Sequence, residues 1–287
     1  MLLQEYITNQ SFKSSSQMIA SNSLYSLLYR FIYNYTLQIN CQIICSDTCF
    51  RICLKSCPQI LSEYAVTNAI TSYPHEIAMT GKIVAINGSP RSGWNTDMLV
   101  SEAAKGAESK GASVEKFDLY KLDRYTGCIS CFGCKRKAHE GECIVKDGLK
   151  PVLDAIKEAD GLIMGAPNYF SDLSAQFKTF YERLVFPYLT YNKEHPCCNE
   201  RRIPVLLIMT SNAPDTMYQG LMEQYRNILE SFIGPTKVFV SGETMQVKDY
   251  SKFDWTFFDG EQRVERREKV FPQELKEAYK LGASLLD

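Results

Sequence analysis

The chain has 287 residues, of which 45% are hydrophobic and 23% charged, the balance of a globular protein rather than a disordered one. Its 32 Lys and Arg face 33 Asp and Glu, and the net charge of -1 leaves no broad positive field for a phosphate backbone. That argues against nucleic acid as the main partner.

The charges are unevenly placed. Residues 1–80 carry only Lys13, Arg30, Arg51, Lys55, Glu5, Asp47, Glu63 and Glu76 and are rich in Ser, Asn, Gln, Tyr and Cys. From Lys82 onward apolar runs alternate with amphipathic stretches, so the boundary falls near Met79, with an atypical extension over 1–78 and one domain over 79–287. The opening Met-Leu-Leu-Gln-Glu lacks the basic start of a secretory signal. The uncharged stretch 31–46 is interrupted by Asn34, Thr36, Gln38, Asn40 and Gln42, short of the ~20 mostly apolar residues that span a bilayer. The expected setting is cytoplasmic, with no membrane partner. Eleven cysteines in such a chain point to metal, cluster or redox chemistry, or to plain burial, rather than to a disulfide framework.

Within the extension, Cys41, Cys45, Cys49, Cys53 and Cys57 recur every fourth residue. A single helical stripe cannot supply tetrahedral convergence, so they read as small buried apolar residues or as part of a segment without selected function. Met79-Thr80-Gly81-Lys82 immediately precedes the first convincing strand. A natural start at Met79 would leave residues 1–78 outside the natural protein, an expectation that the intact mass of the native protein tests.

Lys82 to Asn87 is a β-branched apolar run ending in Gly88-Ser89-Pro90, a buried strand followed by a turn. Asn95 or Thr96 can cap the next helix, with Leu99, Ala103 and Ala107 inward and Gly111 as its stop. Ser113 to Leu119 is a more polar strand suited to a sheet edge. Asp147 can cap a second helix carrying Leu149, Val152, Leu153 and Ile156, and Leu162 to Met164 is the third strand. A helix after Ser171 buries Phe177, Phe180, Tyr181 and Leu184. Val205 to Met209, apolar throughout, is a strand covered on both faces. Met217, Leu221, Tyr225, Ile228 and Phe232 outline the next helix, Lys237 to Ser241 the fifth strand, and Pro272 opens a last helix through Leu275 and Tyr279. Five strand-helix units require crossover connections, so the expected fold is α/β, a doubly wound five-stranded parallel sheet with ligands outside the carboxyl ends of its strands.

The first strand end reads Gly88-Ser89-Pro90-Arg91-Ser92-Gly93-Trp94-Asn95-Thr96. It is neither the Gly-x-Gly-x-x-Gly dinucleotide turn nor a nucleotide-binding Gly-Lys-Ser/Thr loop. Hydroxyls, an amide, an Arg and several backbone N–H groups converge there on a helix amino terminus, where the dipole favours a terminal monophosphate. A plain strand-to-helix turn is the alternative.

Gly88-Ser89-Pro90-Arg91 with Asn95-Thr96, then Ala166-Pro167-Asn168-Tyr169-Phe170, then Lys178-Thr179-Phe180-Tyr181-Glu182-Arg183 together resemble the FMN-binding flavodoxin-like oxidoreductases, nearest the iron-sulfur flavoproteins and their NAD(P)H-dependent FMN reductase relatives. The match is dense from Lys82 to Phe186, weaker to Ser241, and does not cover 1–78. The resemblance implies strand order 2-1-3-4-5, an FMN phosphate held by Ser89, Arg91, Ser92, Asn95 and Thr96, and an isoalloxazine lying along Pro167, Asn168, Tyr169 and Phe170. Thr210, Ser211 and Asn212 would complete the pocket, or else form a polar loop capping the following helix. Phe177, Phe180 and Tyr181 read as core.

Cys128-x2-Cys131-x2-Cys134 lets three thiolates from one loop face a common centre, with Cys143 after eight residues to close it. This resembles the cysteine motif that holds a 4Fe-4S cluster in iron-sulfur flavoproteins, although the last spacing is longer here and includes Lys135, Arg136, Lys137 and His139. Zinc on Cys128, Cys131, Cys134 and Cys143 or His139, and structural or reactive free thiols, are the alternatives. Cys197-Cys198 receive no role. Lys248 to Lys269 is either a solvated excursion with an apolar anchor or a lid or subunit contact over the flavin.

The expected function is an FMN-dependent oxidoreductase passing electrons from NAD(P)H to a quinone, nitro, azo or similar small-molecule acceptor. An iron-sulfur flavoprotein carrying electrons between redox-protein partners is the rival, and a redox sensor using the 128–143 loop a third option. No acid or base residue is nominated. The resemblance further implies a homodimer or higher homo-oligomer.

Overall fold

The computed structural model describes residues 81–287; the extension and its cysteine ladder lie outside the described residues. Six strands are present among them: β1 (Gly81–Asn87), β2 (Ala112–Asp118), β3 (Gly161–Tyr169), β4 (Asp172–Leu173), β5 (Val205–Thr210) and β6 (Thr236–Ser241). The helices are α1 (Asn95–Glu108), α2 (Lys150–Lys157), α3 (Ala175–Val185), α4 (Gln219–Phe232), α5 (Gly260–Lys269) and α6 (Phe271–Ala283), with short 3-10 turns between them. The sheet runs β2-β1-β3-β5-β6, all parallel. Counting only these five gives the expected order 2-1-3-4-5, and β4 is the addition: it turns back antiparallel on the end of β3, Asn168 opposite Leu173.

Period-2 alternation sorts the strands' side chains onto two faces. Ile83, Ala85, Ile163, Leu206 and Ile208 pack with α1 and α6 through Leu99, Ala103, Phe271 and Ala278. Val84, Ile86, Leu162, Met164, Val205 and Leu207 pack with α2, α3 and α4 through Val152, Phe177 and Leu229. The central strands are therefore covered on both sides, which is why β5 is apolar from Val205 through Met209. β2, with its charged residues and mixed burial, lies at an edge.

Three details depart from the sequence pattern. β3 does not end at Met164 but continues to Tyr169, because Ala166 and Pro167 still pair with Met209 and Thr210. α4 buries Met222, Tyr225 and Leu229, while Ile228 is exposed and Met217 stands on a separate 3-10 turn. The charged stretch 248–269 contains a helix, α5, whose start is capped by Asp259 accepting from the N–H groups of Glu261 and Gln262.

Candidate functional site

The carboxyl ends of β1, β3 and β5 bring three loops together. After β1, Gly88 N–H donates to Gly165 O at 2.7 Å, and the buried Ser174 hydroxyl donates to Gly88 O at 2.6 Å. A Cβ on Gly88 would sit 3.0 Å from Phe177 Cβ, so the close approach of this turn to β3 and α3 requires glycine. The loop then folds on itself: Ser89 N–H donates to Asn87 Oδ1, Arg91 N–H to Ser89 Oγ, and Gly93, at φ +67°, to Asp97 Oδ2. The Asp97 carboxylate is also paired with Lys116.

α1 begins with no side-chain capping bond at Trp94. Its first-turn N–H groups, with the positive end of the helix dipole, are left for a ligand or solvent. Arg91 lies over the Trp94 ring, 4.1 Å from its centroid, and donates to Gln246 O at 2.6 Å. Burial lowers its pKa while Tyr169 and Tyr250 pull it back up, and no described carboxylate pairs with it. Asn95 and Thr96 turn their side chains inward. The Asn95 amide bonds Met245 O and accepts from Arg267, and the Thr96 hydroxyl shares a 2.7 Å hydrogen bond with Thr210. Toward the loop they present backbone, while Arg91 and Ser92 remain exposed.

The second loop is the tip of the β3–β4 hairpin. Phe170 and Ser171 sit at φ +51° and +65°, a left-handed geometry that costs non-glycine residues about 1–3 kcal/mol each. Asn168 Oδ1 supports the turn by accepting from Ser171 N–H, and its amide reaches Met209 Sδ. The result is a bare aromatic tip, Phe170 fully exposed and Tyr169 45% exposed. Burial raises the Tyr169 pKa and Tyr120 adds to it, against the pull of Arg91.

In the third loop Thr210 and Ser211 are buried. Ser211 donates its hydroxyl to Ala213 O, and its carbonyl accepts from both Thr244 N–H and Thr244 Oγ1. Asn212 accepts from Gln246 and Arg263. These residues tie β5 to the segment after β6; they do not cap α4, whose N-cap position is Tyr218. That segment is a strap, with Met245 and Gln246 backbone carbonyls, Arg263 and Arg267 all engaging the loops after β1 and β5. Their partners lie more than fifty residues away along the chain, and no local motif marks them.

The four cysteines 128, 131, 134 and 143 line one small cavity, about 20 Å³, with Arg183 and Phe186 in its wall. Ser130 and Phe132 take φ +50° and +56°, which curls the loop around the cavity that the cysteines line. Cys134 is buried and Cys131 exposed. Burial pushes the Cys134 thiol up, as do Cys143 and Cys128, against the pull of Lys135 and a backbone hydrogen bond. Lys135 is anchored on the carbonyls of Phe186, Pro187 and Leu189. Among the described residues no group of three His, Cys, Asp or Glu could hold a single metal ion. What the cavity offers is four thiols, with the cations Lys135 and Arg183 beside it. Cys197 and Cys198 lie apart from it, near Phe232 O and Pro187 O respectively.

Residues 81–266 match the family described as NADPH-dependent FMN reductase. An iron-sulfur flavoprotein of Methanocaldococcus jannaschii is 39% identical over 102 residues, 36% of this chain and 51% of that one. An iron-sulfur flavoprotein of Archaeoglobus fulgidus is 34% identical over 109 residues, 37% and 46% of the two chains. The chain thus spans about half the length of the curated relatives it matches. Among solved structures, the NAD(P)H:quinone oxidoreductase from Methanothermobacter marburgensis superposes with a TM-score of 0.53 at 15% identity, covering 72% of this chain and 98% of that one; this likeness is one of fold.

Proposed function

The chain belongs to the NADPH-dependent FMN reductase family, and from that premise we propose that it is an FMN-dependent oxidoreductase passing electrons from NAD(P)H to a small planar acceptor of the quinone, nitro or azo class. The observation that carries the reading is the pairing of an uncapped helix amino terminus beside Arg91 with a bare aromatic tip at Tyr169 and Phe170. One end fits a terminal phosphate and the other a flat ring system, the two ends of FMN.

When bound, FMN would supply the capacity to accept a hydride and release electrons. The chain's own residues do the rest. Arg91, Ser89, Ser92 and the α1 N–H groups hold the phosphate, and Thr96 and Thr210 lock the first loop to the third. Pro167, Asn168, Tyr169 and Phe170 flank the ring, and Tyr169 carries its phenolic proton at neutral pH as an ordinary tyrosine does, with burial raising its pKa further. Beside Asn212 a cavity of about 440 Å³, walled by Trp255, Phe257 and Phe258 of the strap, is a size and lining suited to a planar acceptor.

A second reading rests on the four-cysteine cavity and on the iron-sulfur flavoproteins among the relatives. In it Cys128, Cys131, Cys134 and Cys143 hold a 4Fe-4S cluster, and redox proteins take the place of the small acceptor. Protein purified without oxygen, with its visible spectrum recorded and its flavin, iron and sulfide quantified, separates the two. Flavin with rapid NAD(P)H oxidation by a quinone supports the first; about four irons per chain with slow NAD(P)H turnover supports the second. A colourless protein that does not take up FMN overturns both.

A further inference from the structure

Among the described residues Arg183 is the largest side chain to be fully enclosed, 2% exposed in the last turn of α3. An enclosed guanidinium is tolerated only when its donors are met, and here every partner belongs to the cysteine loop. Nε donates to Cys143 Sγ at 3.3 Å, Nη1 to Thr126 O at 3.0 Å and to Asp147 Oδ2 at 2.6 Å, and Nη2 to Val145 O at 3.1 Å. One planar group thus joins the chain just before Cys128 to the arm carrying Cys143. The preceding residue works on the other end: Glu182 Oε2 accepts from Cys128 N–H at 3.2 Å.

The eight residues between Cys134 and Cys143 make this arrangement necessary. Cys128, Cys131 and Cys134 share one tight curl, but nothing local sets where the fourth cysteine returns. α3, held in the core by Phe177, Phe180 and Leu184, is a rigid frame, and two consecutive side chains on it reach the first and the last cysteine.

We propose that Arg183, with Glu182 beside it, is the positioning residue of the four-cysteine site, closing the loop and presenting Cys143 to the cavity before any metal is bound. The proposal rests on the cysteine reading above only for what the site finally holds; the closure belongs to the metal-free chain.

The test uses the full chain, wild type against Arg183→Lys and Glu182→Ala. In chelator-treated protein, amide hydrogen exchange over 141–147 is expected to be at least about tenfold faster in Arg183→Lys, while Glu182→Ala releases 126–130 and leaves 141–147 protected. After anaerobic reconstitution with iron and sulfide, Arg183→Lys is expected to retain less than about half the wild-type iron, with shifted EPR g values and a lowered midpoint potential for what remains. A purely structural arginine would leave that signature unchanged. FMN binding within about twofold of wild type shows that the sheet is intact; should Arg183→Lys fail to fold, the Glu182→Ala pattern decides. Unchanged exchange over 141–147 in Arg183→Lys, or release of 141–147 by Glu182→Ala as well, overturns the proposal whatever the iron content. Wild-type protein that takes up no iron, with the exchange pattern as expected, overturns the cluster reading and leaves the closure standing.

Discussion

At Trp94 two guanidinium groups share one indole: Arg91 at 4.1 Å from the ring centroid and Arg267 at 6.0 Å. Burial lowers the pKa of both, and both cations stand beside a helix amino terminus, an arrangement suited to an anion. Arg91 was legible in the sequence because it sits inside the Gly-Ser-Pro-Arg turn. Arg267 was not, because it reaches Asn95 across most of the domain. Tyr169 tests how much chemistry the residues themselves perform. A general acid contributes about 10²–10⁴-fold, whereas Tyr169→Phe is expected to change steady-state NAD(P)H oxidation by less than about tenfold; a larger loss with flavin still bound would place a proton donor at this position. Asp147 gives a pH dependence. Burial pushes its carboxyl up, but hydrogen bonds from Arg183 and Leu149 N–H, the Arg183 charge and Thr126 N–H outweigh burial and leave its pKa below the ordinary carboxylate value. A depressed folded-state pKa stabilises the fold above the unfolded value, and that stability is lost as pH falls through the folded one. The stability gap between wild type and Asp147→Asn, measured by denaturant unfolding, is therefore expected to be widest at neutral pH and to close as the pH drops below about 4.

Among elements, α1 and α6 make the tightest contact. A Cβ on Gly106 would fall 1.9 Å from Tyr279 O, and one on Gly282 1.9 Å from Ala103 O, so the two helices touch backbone to backbone through reciprocal glycines. Gly106→Ala or Gly282→Ala is expected to destabilise the domain by about 3 kcal/mol, read as a lower denaturant midpoint at unchanged slope. Helix existence was legible from spacing, but helix phase was not always. α4 contains Leu221, Met222, Tyr225, Ile228, Leu229 and Phe232, apolar residues on two faces, and only packing against β5 and β6 chooses Met222, Tyr225 and Leu229 for the interior. The strap was half legible: its aromatic residues signalled an anchor, and the structure shows the anchoring bonds running to the loops after β1 and β5. The β3–β4 hairpin escaped notice because β4 is two residues long, below the length at which alternation means anything.

For the molecule as a whole, three loops from distant parts of the chain meet at the carboxyl end of the sheet, Thr96 bonding Thr210 across 114 residues, so a ligand that spans them stabilises the fold by mass action. FMN at a hundredfold excess over its dissociation constant is expected to add about 2.7 kcal/mol and raise the melting temperature by about 5–10 °C in a thermal scan; no shift would mean that the loops do not form a flavin site. Sequence alone determined the parallel α/β order, the strand ends that carry the Gly-Ser-Pro turn and the aromatic tip, and the presence of three clustered cysteines, because these depend on hydrophobic period and on residues within a few positions of one another. Only the tertiary structure decided that the strap fastens the loop after β1, that Asn95 and Thr96 turn inward, and that Cys143, expected from the sequence as the fourth cysteine, lines one cavity with the other three beside Arg183. Each of these is a contact between residues distant in the chain, set by how the layers pack and not by any local preference.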